Sequence, residues 1–426
     1  MSAAIAATAP PQRRPVLALL GAYAISQGGT QLTAVAIPWF VLLTTGSAAR
    51  TGIVAFCELV PAILASFFGG AIVDRLGHRR SSIIADLISA LTVGAIPLLH
   101  ATVGLAFWQL LVLVFCGSLC NVAGGTARAA LLPDLVALAG VPIERATSAT
   151  QAIQRGSRLL GAPLAGVLIA ALGPTIPLWF DAATFLISAA LVSLLVPFAR
   201  RATSTASATA VRGGRRYLTE LREGLAFIRD DRLIRSIVLT IMVTNLIESV
   251  AWVGAPVYAE RLYGSAVALG LMTAATGGGA MVSAILYGAF GHRLPRRPTF
   301  LGSFLLLALG YWPLAFLPPL PVTVASLALL GFFAGPINPF LGAVQYERIP
   351  AALRGRVIGA ISAGANCAMP LGVLLGGVLL DALGLRPVYT LVASLFLVCT
   401  LAMFLNPAFR ALDAPAPAVA TAAQPT

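Results

Sequence analysis

A chain of 426 residues with 58% hydrophobic and only 10% charged residues falls far below the roughly 25% charge of a soluble domain. So little charge cannot cover a water-facing surface, which excludes a soluble globular protein and makes lipid the solvent for most of the chain. The formal charge of +13 is carried by arginine alone, with no lysine. In a soluble protein it would suggest nucleic acid; here the arginines sort by loop and no nucleic-acid partner is expected.

The Ala-rich first fifteen residues place Arg13 and Arg14 after a small apolar stretch, the reverse of a signal peptide's order. About twelve apolar runs of some 20 residues follow, near 16–43, 51–72, 81–100, 104–127, 147–171, 176–197, 235–258, 266–290, 299–317, 321–345, 353–380 and 386–406. Backbone polar groups in lipid must be bonded internally, and these runs are too long for barrel strands of about 10 residues. The expectation is an all-α integral membrane fold of about twelve helices. With the N-terminus cytoplasmic, Arg50, Arg261 and Arg386 fall on the outer side, Arg155 and Arg158 within a span, and the other arginines at inner ends. That bias places both termini inside a cell (inner) membrane. Trp39, Trp108, Trp179, Trp252 and Trp312 fall toward outer ends, as an interfacial belt does.

The first run carries Gln27 and Gln31 on one face, and the second carries Glu58 shortly before Pro61. Next comes a charged turn, Gly69-Gly70-Ala71-Ile72-Val73-Asp74-Arg75-Leu76-Gly77-His78-Arg79-Arg80. Gly77 permits a tight turn, Gly70 close approach of helices, and Asp74 can face the positive end of another helix, with the start near Arg354 and Arg356 the expected partner. Gly70, Asp74, Arg75, Gly77, Arg79, Arg354 and Arg356 are therefore candidate gate residues. Asp86 and Asp181 are read as structural or capping groups near helix ends. Arg158 is the natural counter-charge for a membrane carboxylate, and can equally form a fixed ion pair. Gly156, Gly161, Pro163 and Gly166 mark the fifth helix as closely packed and bendable.

The Arg-rich interval 198–234 divides the spans six and six. Its Leu218, Leu221, Leu225 and Ile228 recur at helical spacing, giving a basic amphipathic helix on the inner membrane face or an ordinary solvated linker helix. In the second half Asn245 and Glu248 share a face. A degraded copy of the charged turn follows at Gly288-Ala289-Phe290-Gly291-His292-Arg293-Leu294-Pro295-Arg296-Arg297, and Gly161–Gly173 is echoed by Gly372–Gly384. Two duplicated halves are the signature of a membrane carrier with its site near the midplane. The divisions are 1–15 (cytoplasmic tail), 16–197 (N-terminal bundle), 198–234 (cytoplasmic linker with amphipathic helix), 235–406 (C-terminal bundle) and 407–426 (disordered tail).

A charge at a helix centre in the bilayer costs about 2.5–3.5 kcal/mol, so Glu58 and Glu248 are read as functional. A carboxylate in a poorly hydrated cavity is costly to keep charged and can load and release a proton. Gln27, Gln31 and Asn245 extend those polar faces, although Gln27, Gln31 and Asn121 equally suit hydrogen bonds between helices. Cys57, Cys116, Cys120, Cys367 and Cys399 are read as small buried hydrophobes. No metal spacing, nucleotide-binding loop or catalytic set occurs, so no metal, cofactor or enzyme activity is expected.

Gly70 to Arg80 resembles the loop signature of the major facilitator superfamily, with His78 at a usually basic position. Arg158-Leu159-Leu160-Gly161-Ala162-Pro163-Leu164-Ala165-Gly166 resembles the antiporter motif of its drug exporters, with Ala162 interrupting the usual Gly-Pro order. Thr45-Gly46-Ser47, Ala85-Asp86-Leu87, Phe180-Asp181-Ala182, Arg222-Glu223-Gly224, Gly335-Pro336-Ile337-Asn338-Pro339, Leu353-Arg354-Gly355-Arg356-Val357 and Ala368-Met369-Pro370-Leu371-Gly372 are similar to the macrolide-efflux and enterobactin-exporter branch. The resemblance covers about 16–406. It implies alternating access by a monomer, with protons exchanged for an exported amphipathic organic molecule. A dedicated siderophore or secondary-metabolite exporter and a proton symporter importing a small metabolite are the alternatives.

Overall fold

The protein is described here from a computed structural model covering residues 13–197, 213–351 and 353–413; the side chains of 66–72, Asp74, 213–221 and His292 lie outside the described set. Every regular element among these residues is helical. In the first half these are α1 (Arg14–Thr45), α2 (Ala48–Leu76), α3 (His78–Thr102), α4 (Phe107–Ala139), α5 (Ile143–Leu172) and α6 (Ile176–Leu195). The second half has α7 (Gly213–Asp230), α8 (Arg232–Tyr258), α9 (Ala266–Phe290), α10 (Arg296–Ala315), α11 (Leu320–Ala334), α12 (Ile337–Arg348), α13 (Arg354–Cys367), α14 (Met369–Leu383) and α15 (Leu385–Leu405).

Eleven helical stretches among the described residues are long and apolar enough to cross a membrane. Two of the expected spans are each built from a pair of helices. The run expected at 321–345 breaks between α11 and α12 at Gly335-Pro336, and that at 353–380 breaks between α13 and α14 before Pro370. Proline removes a donor and clashes with the preceding turn, so the helix restarts there. The first expected span is 32 residues long but is not among these eleven, because the polar run Ser26-Gln27-Gly28-Gly29-Thr30-Gln31 fills its middle.

Local signals set several boundaries. Gly77 has φ 85°, a left-handed conformation that glycine adopts freely, and it ends α2 and starts α3. The Asp231 carboxylate caps α8, accepting the N–H groups of Leu233 and Ile234 at 2.8 and 3.0 Å.

By packing, the chain falls into two units: Met1–Phe40 with Cys57–Ala210, and Val41–Phe56 with Val211–Thr426. This division departs from the 16–197 and 235–406 bundles at one place, the turn joining α1 to α2, which packs in the second unit. In the first unit Leu19, Leu131, Leu135, Val136, Ala146 and Val192 belong to one buried apolar cluster. In the second unit Phe300 stacks on Phe340 at 4.8 Å, and Tyr258 meets Tyr389 edge-on at 5.1 Å.

Four expectations need correction. Trp39 is 4% exposed, a packing residue rather than an interfacial anchor. None of the five free cysteines is fully buried, and Cys367 is exposed. The basic helix α7 packs on α13: a Cβ at Gly224 would lie 2.8 Å from the Arg356 carbonyl oxygen. Its Ile228 is buried but Leu225 is 52% exposed, so the expected apolar stripe is only partly turned to protein; Leu218 and Leu221 lie outside the described side chains. The expected tail of 407–426 begins with regular structure, and its residues 414–426 lie outside the described residues. Pro407–Leu412 forms a 3-10 turn with Phe409 buried near Phe300.

Candidate functional site

Each unit holds a polar cavity among its own helices. In the second unit a cavity of about 440 Å³ is lined by Glu248, Asn245 and Thr244 of α8, Tyr311 of α10, Asn338 and Gln345 of α12, and Ser362 and Asn366 of α13, among others. Asn245 and Glu248 face it together, as their three-residue spacing requires. The Asn245 side chain donates to the Ala365 carbonyl at 2.8 Å, so this amide also ties α8 to α13. The exposed Glu248 carboxylate has no hydrogen bond or ion pair among the described residues. One carboxylate, several amides and a few hydroxyls make a lining that can bind a positively charged molecule with its own hydrogen-bonding groups.

The first unit's cavity is smaller, about 70 Å³, and is lined by Glu58, Thr30, Thr33, Ser89, Asn121 and Asp181, with apolar neighbours. Glu58 sits one turn before Pro61 on α2. Its backbone carbonyl accepts the Ser118 hydroxyl at 2.6 Å, while its carboxylate has no partner among the described residues. Asp181 is not a surface cap. It is 1% exposed and accepts the Thr33 hydroxyl at 2.5 Å and the Thr184 hydroxyl at 3.2 Å. A Cβ at Gly29 would collide with this carboxylate, so Gly29 is what lets α1 pass α6. Asn121 lines the cavity rather than serving only as a tie between helices.

Asp86 fits the structural half of its expected role, not the capping one. Its carboxylate meets Arg128 at 2.6 Å and the Ser188 hydroxyl at 2.7 Å, all three buried. The sequence reading assigned Arg128 to a helix end. Its neighbour Gly124 was the available signal: the absent side chain there lets Arg128 reach α3 near Ala85.

The remaining candidates disperse. The Arg158 side chain is exposed and pairs with no carboxylate among the described residues, Glu58 included. Gln27 donates to Tyr23 at 3.3 Å within α1. Gln31 packs where a Cβ at Gly161 would collide with it, joining α1 to α5, while Gly166 is buried and Gly156 faces open space. Pro163 is half-buried within α5.

Around the charged turn, Arg75 is exposed and Arg79 donates to the Ser193 carbonyl of α6. The side chains of Gly70 and Asp74 lie outside the described set. Arg354 donates to the carbonyls of Tyr346 and Ile349 at 2.9 and 3.2 Å, and Arg356 pairs with Glu223 of α7.

Apolar spans enclosing polar cavities, in two halves with matching motifs, define a multi-pass membrane transporter rather than an enzyme. The chain belongs to the Major Facilitator Superfamily, whose family model matches residues 19–263 and 237–425. It is 34% identical over 407 residues to the multidrug efflux pump Tap of Mycobacterium tuberculosis (strain ATCC 25618 / H37Rv), covering 94% of this chain and 95% of that protein. It is also 34% identical over 408 residues to Tap of Mycolicibacterium fortuitum, covering 94% and 98%. Its fold is similar to the crystal structure of the nucleoside transporter NupG, with TM-score 0.75, 15% identity, and 93% and 98% of the two chains covered.

Proposed function

We propose that this transporter exports amphipathic, drug-like organic molecules in exchange for protons, by alternating access in a bacterial inner membrane with both termini cytoplasmic. The carrying observation is a pair of carboxylates in spans, Glu58 in the first unit and Glu248 in the second. Each lines a cavity and neither has an ion-pair partner among the described residues. An unpaired carboxylate in a span is expensive unless it can take up a proton or a cation, and that exchange is what a proton-driven carrier uses. The efflux direction is supported by the relatives named multidrug efflux pumps, each matched over nearly its whole length. In the second cavity, Glu248 with Asn245, Asn338 and Asn366 suits a cationic cargo with several hydrogen-bonding groups.

The test uses proteoliposomes under an imposed pH gradient, with a panel of cationic antibiotics and dyes and a lumenal pH reporter. Cargo-dependent proton movement opposite to the cargo is expected. Movement in the same direction makes the protein an importer. Glu58→Gln should uncouple protons from cargo while leaving cargo binding in place; unchanged coupling removes Glu58 from the role.

A further inference from the structure

Proton exchange at Glu58 and Glu248 uses neither of the two arginines inside α5. Arg155 and Arg158 are exposed and form no hydrogen bond or ion pair among the described residues. The only acid on this helix is Glu144, about three turns before Arg155 and too far to neutralise either. A charge within a span is costly and turns toward the bundle interior or a water-filled path. Like charges three residues apart on a helix also repel. A ligand that brings negative charge relieves both costs.

The pattern along α5 shows which way the pair points. Gln151, Arg155, Arg158, Ala162, Ala165 and Ile169 follow at alternating steps of four and three, so they share one side of the helix. Toward the C-terminal end that side is packed against protein, with Ala162, Ala165 and Ile169 buried. Toward the N-terminal end it opens, with Gln151, Arg155 and Arg158 all exposed. The side left to lipid is a different one, marked by exposed Leu160, Leu164 and Val167. The guanidinium groups thus stand on the protein-facing side, where it opens, and not on the side given to hydrocarbon or lipid headgroups.

A further donor comes level with them. Gln31 of α1 packs on Gly161 of α5. With α1 to α5 each crossing once, these two helices run the same way, and one turn earlier on each come Gln27 and Arg158. Gln27 donates one N–H to Tyr23 and keeps the other for a ligand oxygen.

Guanidinium groups bind planar oxyanions through paired N–H donors, and at a spacing of three residues two of them can reach one carboxylate. We propose that Arg155 and Arg158 form a subsite for a carboxylate, or a comparable oxyanion, of the cargo. This rests on the exporter reading and extends it: the cargo carries negative as well as positive charge.

The probes are a rhodamine dye with a free carboxylate and the same dye as its methyl ester. The two share the xanthene cation and differ only in the negative charge. Binding of each to the purified full-length protein in detergent is followed by fluorescence polarisation. No gradient is imposed and no transport is read, so failure of this subsite and failure of proton-coupled export are separate results. The carboxylate dye should bind at least about tenfold more tightly than the ester, the scale of one hydrogen bond to a charged group. Arg158→Gln and Arg155→Gln should each weaken the carboxylate dye about tenfold and leave the ester unchanged. Arg145→Gln, at the start of the same helix, should affect neither dye. Equal affinity of the unaltered protein for the two dyes overturns the subsite with no variant needed. Equal weakening of both dyes by the arginine substitutions overturns it as well, because the arginines would then act on the shape of the helix and not on the anion. Unchanged binding of the carboxylate dye in both variants has the same consequence.

Discussion

Asp381 caps the start of α2 through Ser47. Its carboxylate accepts the Ser47 hydroxyl at 2.7 Å and the N–H groups of Ala48 and Ala49 at 2.9 and 2.8 Å, and Arg261 approaches it at 3.2 Å. The first turn of a helix leaves N–H groups without partners and carries partial positive charge. A carboxylate from α14, a residue more than three hundred positions away in sequence, satisfies both needs. A Cβ at Gly377 would lie 3.0 Å from the Ala49 Cα, so the helices meet at backbone distance. This is why residues 41–56 pack with the second unit.

Asp381→Ala should therefore loosen this turn by about 1 kcal/mol, the usual scale of a lost helix cap. A cysteine placed at Ala49 should then react faster with a membrane-impermeant thiol reagent. An unchanged labelling rate would show that the glycine contacts alone hold the turn.

The buried Asp86–Arg128 pair should behave asymmetrically. Removing one partner leaves an uncompensated charge and costs about 3–5 kcal/mol, whereas replacing both with apolar residues of similar volume can be neutral. Arg128→Met is expected to lower the melting temperature sharply and Asp86→Leu with Arg128→Met to restore much of it. Additive losses in the double variant would refute this account.

Gly161→Val should force α5 away from Gln31 of α1, at a cost of about 1–3 kcal/mol for overpacking. Gly156→Ala, facing open space, should leave stability unchanged and is the matched control in the same thermal assay.

Asn245→Ala removes the bond to the Ala365 carbonyl, a loss of about 1 kcal/mol, and one polar group from the large cavity. Glu248→Gln removes charge without that bond. If the cavity takes a cationic cargo, Glu248→Gln should raise KM at least several-fold while Asn245→Ala mainly lowers thermal stability. Equal effects of both on KM would argue that the cavity reads hydrogen bonds and not charge.

The helical membrane fold and its duplication were legible because lipid imposes long apolar runs and leaves charges conspicuous. Glu58 and Glu248 stood out for that reason, and both line cavities. Asp181 was misjudged because its place near a helix end in the linear chain hides its depth, which depends on Gly29 letting α1 cross α6. Arg128 was misjudged because counting arginines by loop treats any basic residue near a run's end as interfacial. Asp381 was missed altogether: its partner is the far-distant start of α2, and no periodicity reports a contact of that range. The breaks at Gly335-Pro336 and before Pro370 were visible as residues, but an apolar run continues through each.

The polar middle of α1 bears on how the chain enters the membrane during synthesis. A segment centred on Gln27-Gly28-Gly29-Thr30-Gln31 partitions into lipid less readily than the helices that follow, because its amides and open glycine backbone favour water. What holds it in place is protein: Thr33 on Asp181, Gly29 beneath α6, and Gln31 against Gly161 of α5. Those partners lie 130 residues or more further along the chain than the α1 residues they hold. α1 thus leaves the ribosome well before the helices that secure it, and its final seating waits on the completion of α5 and α6.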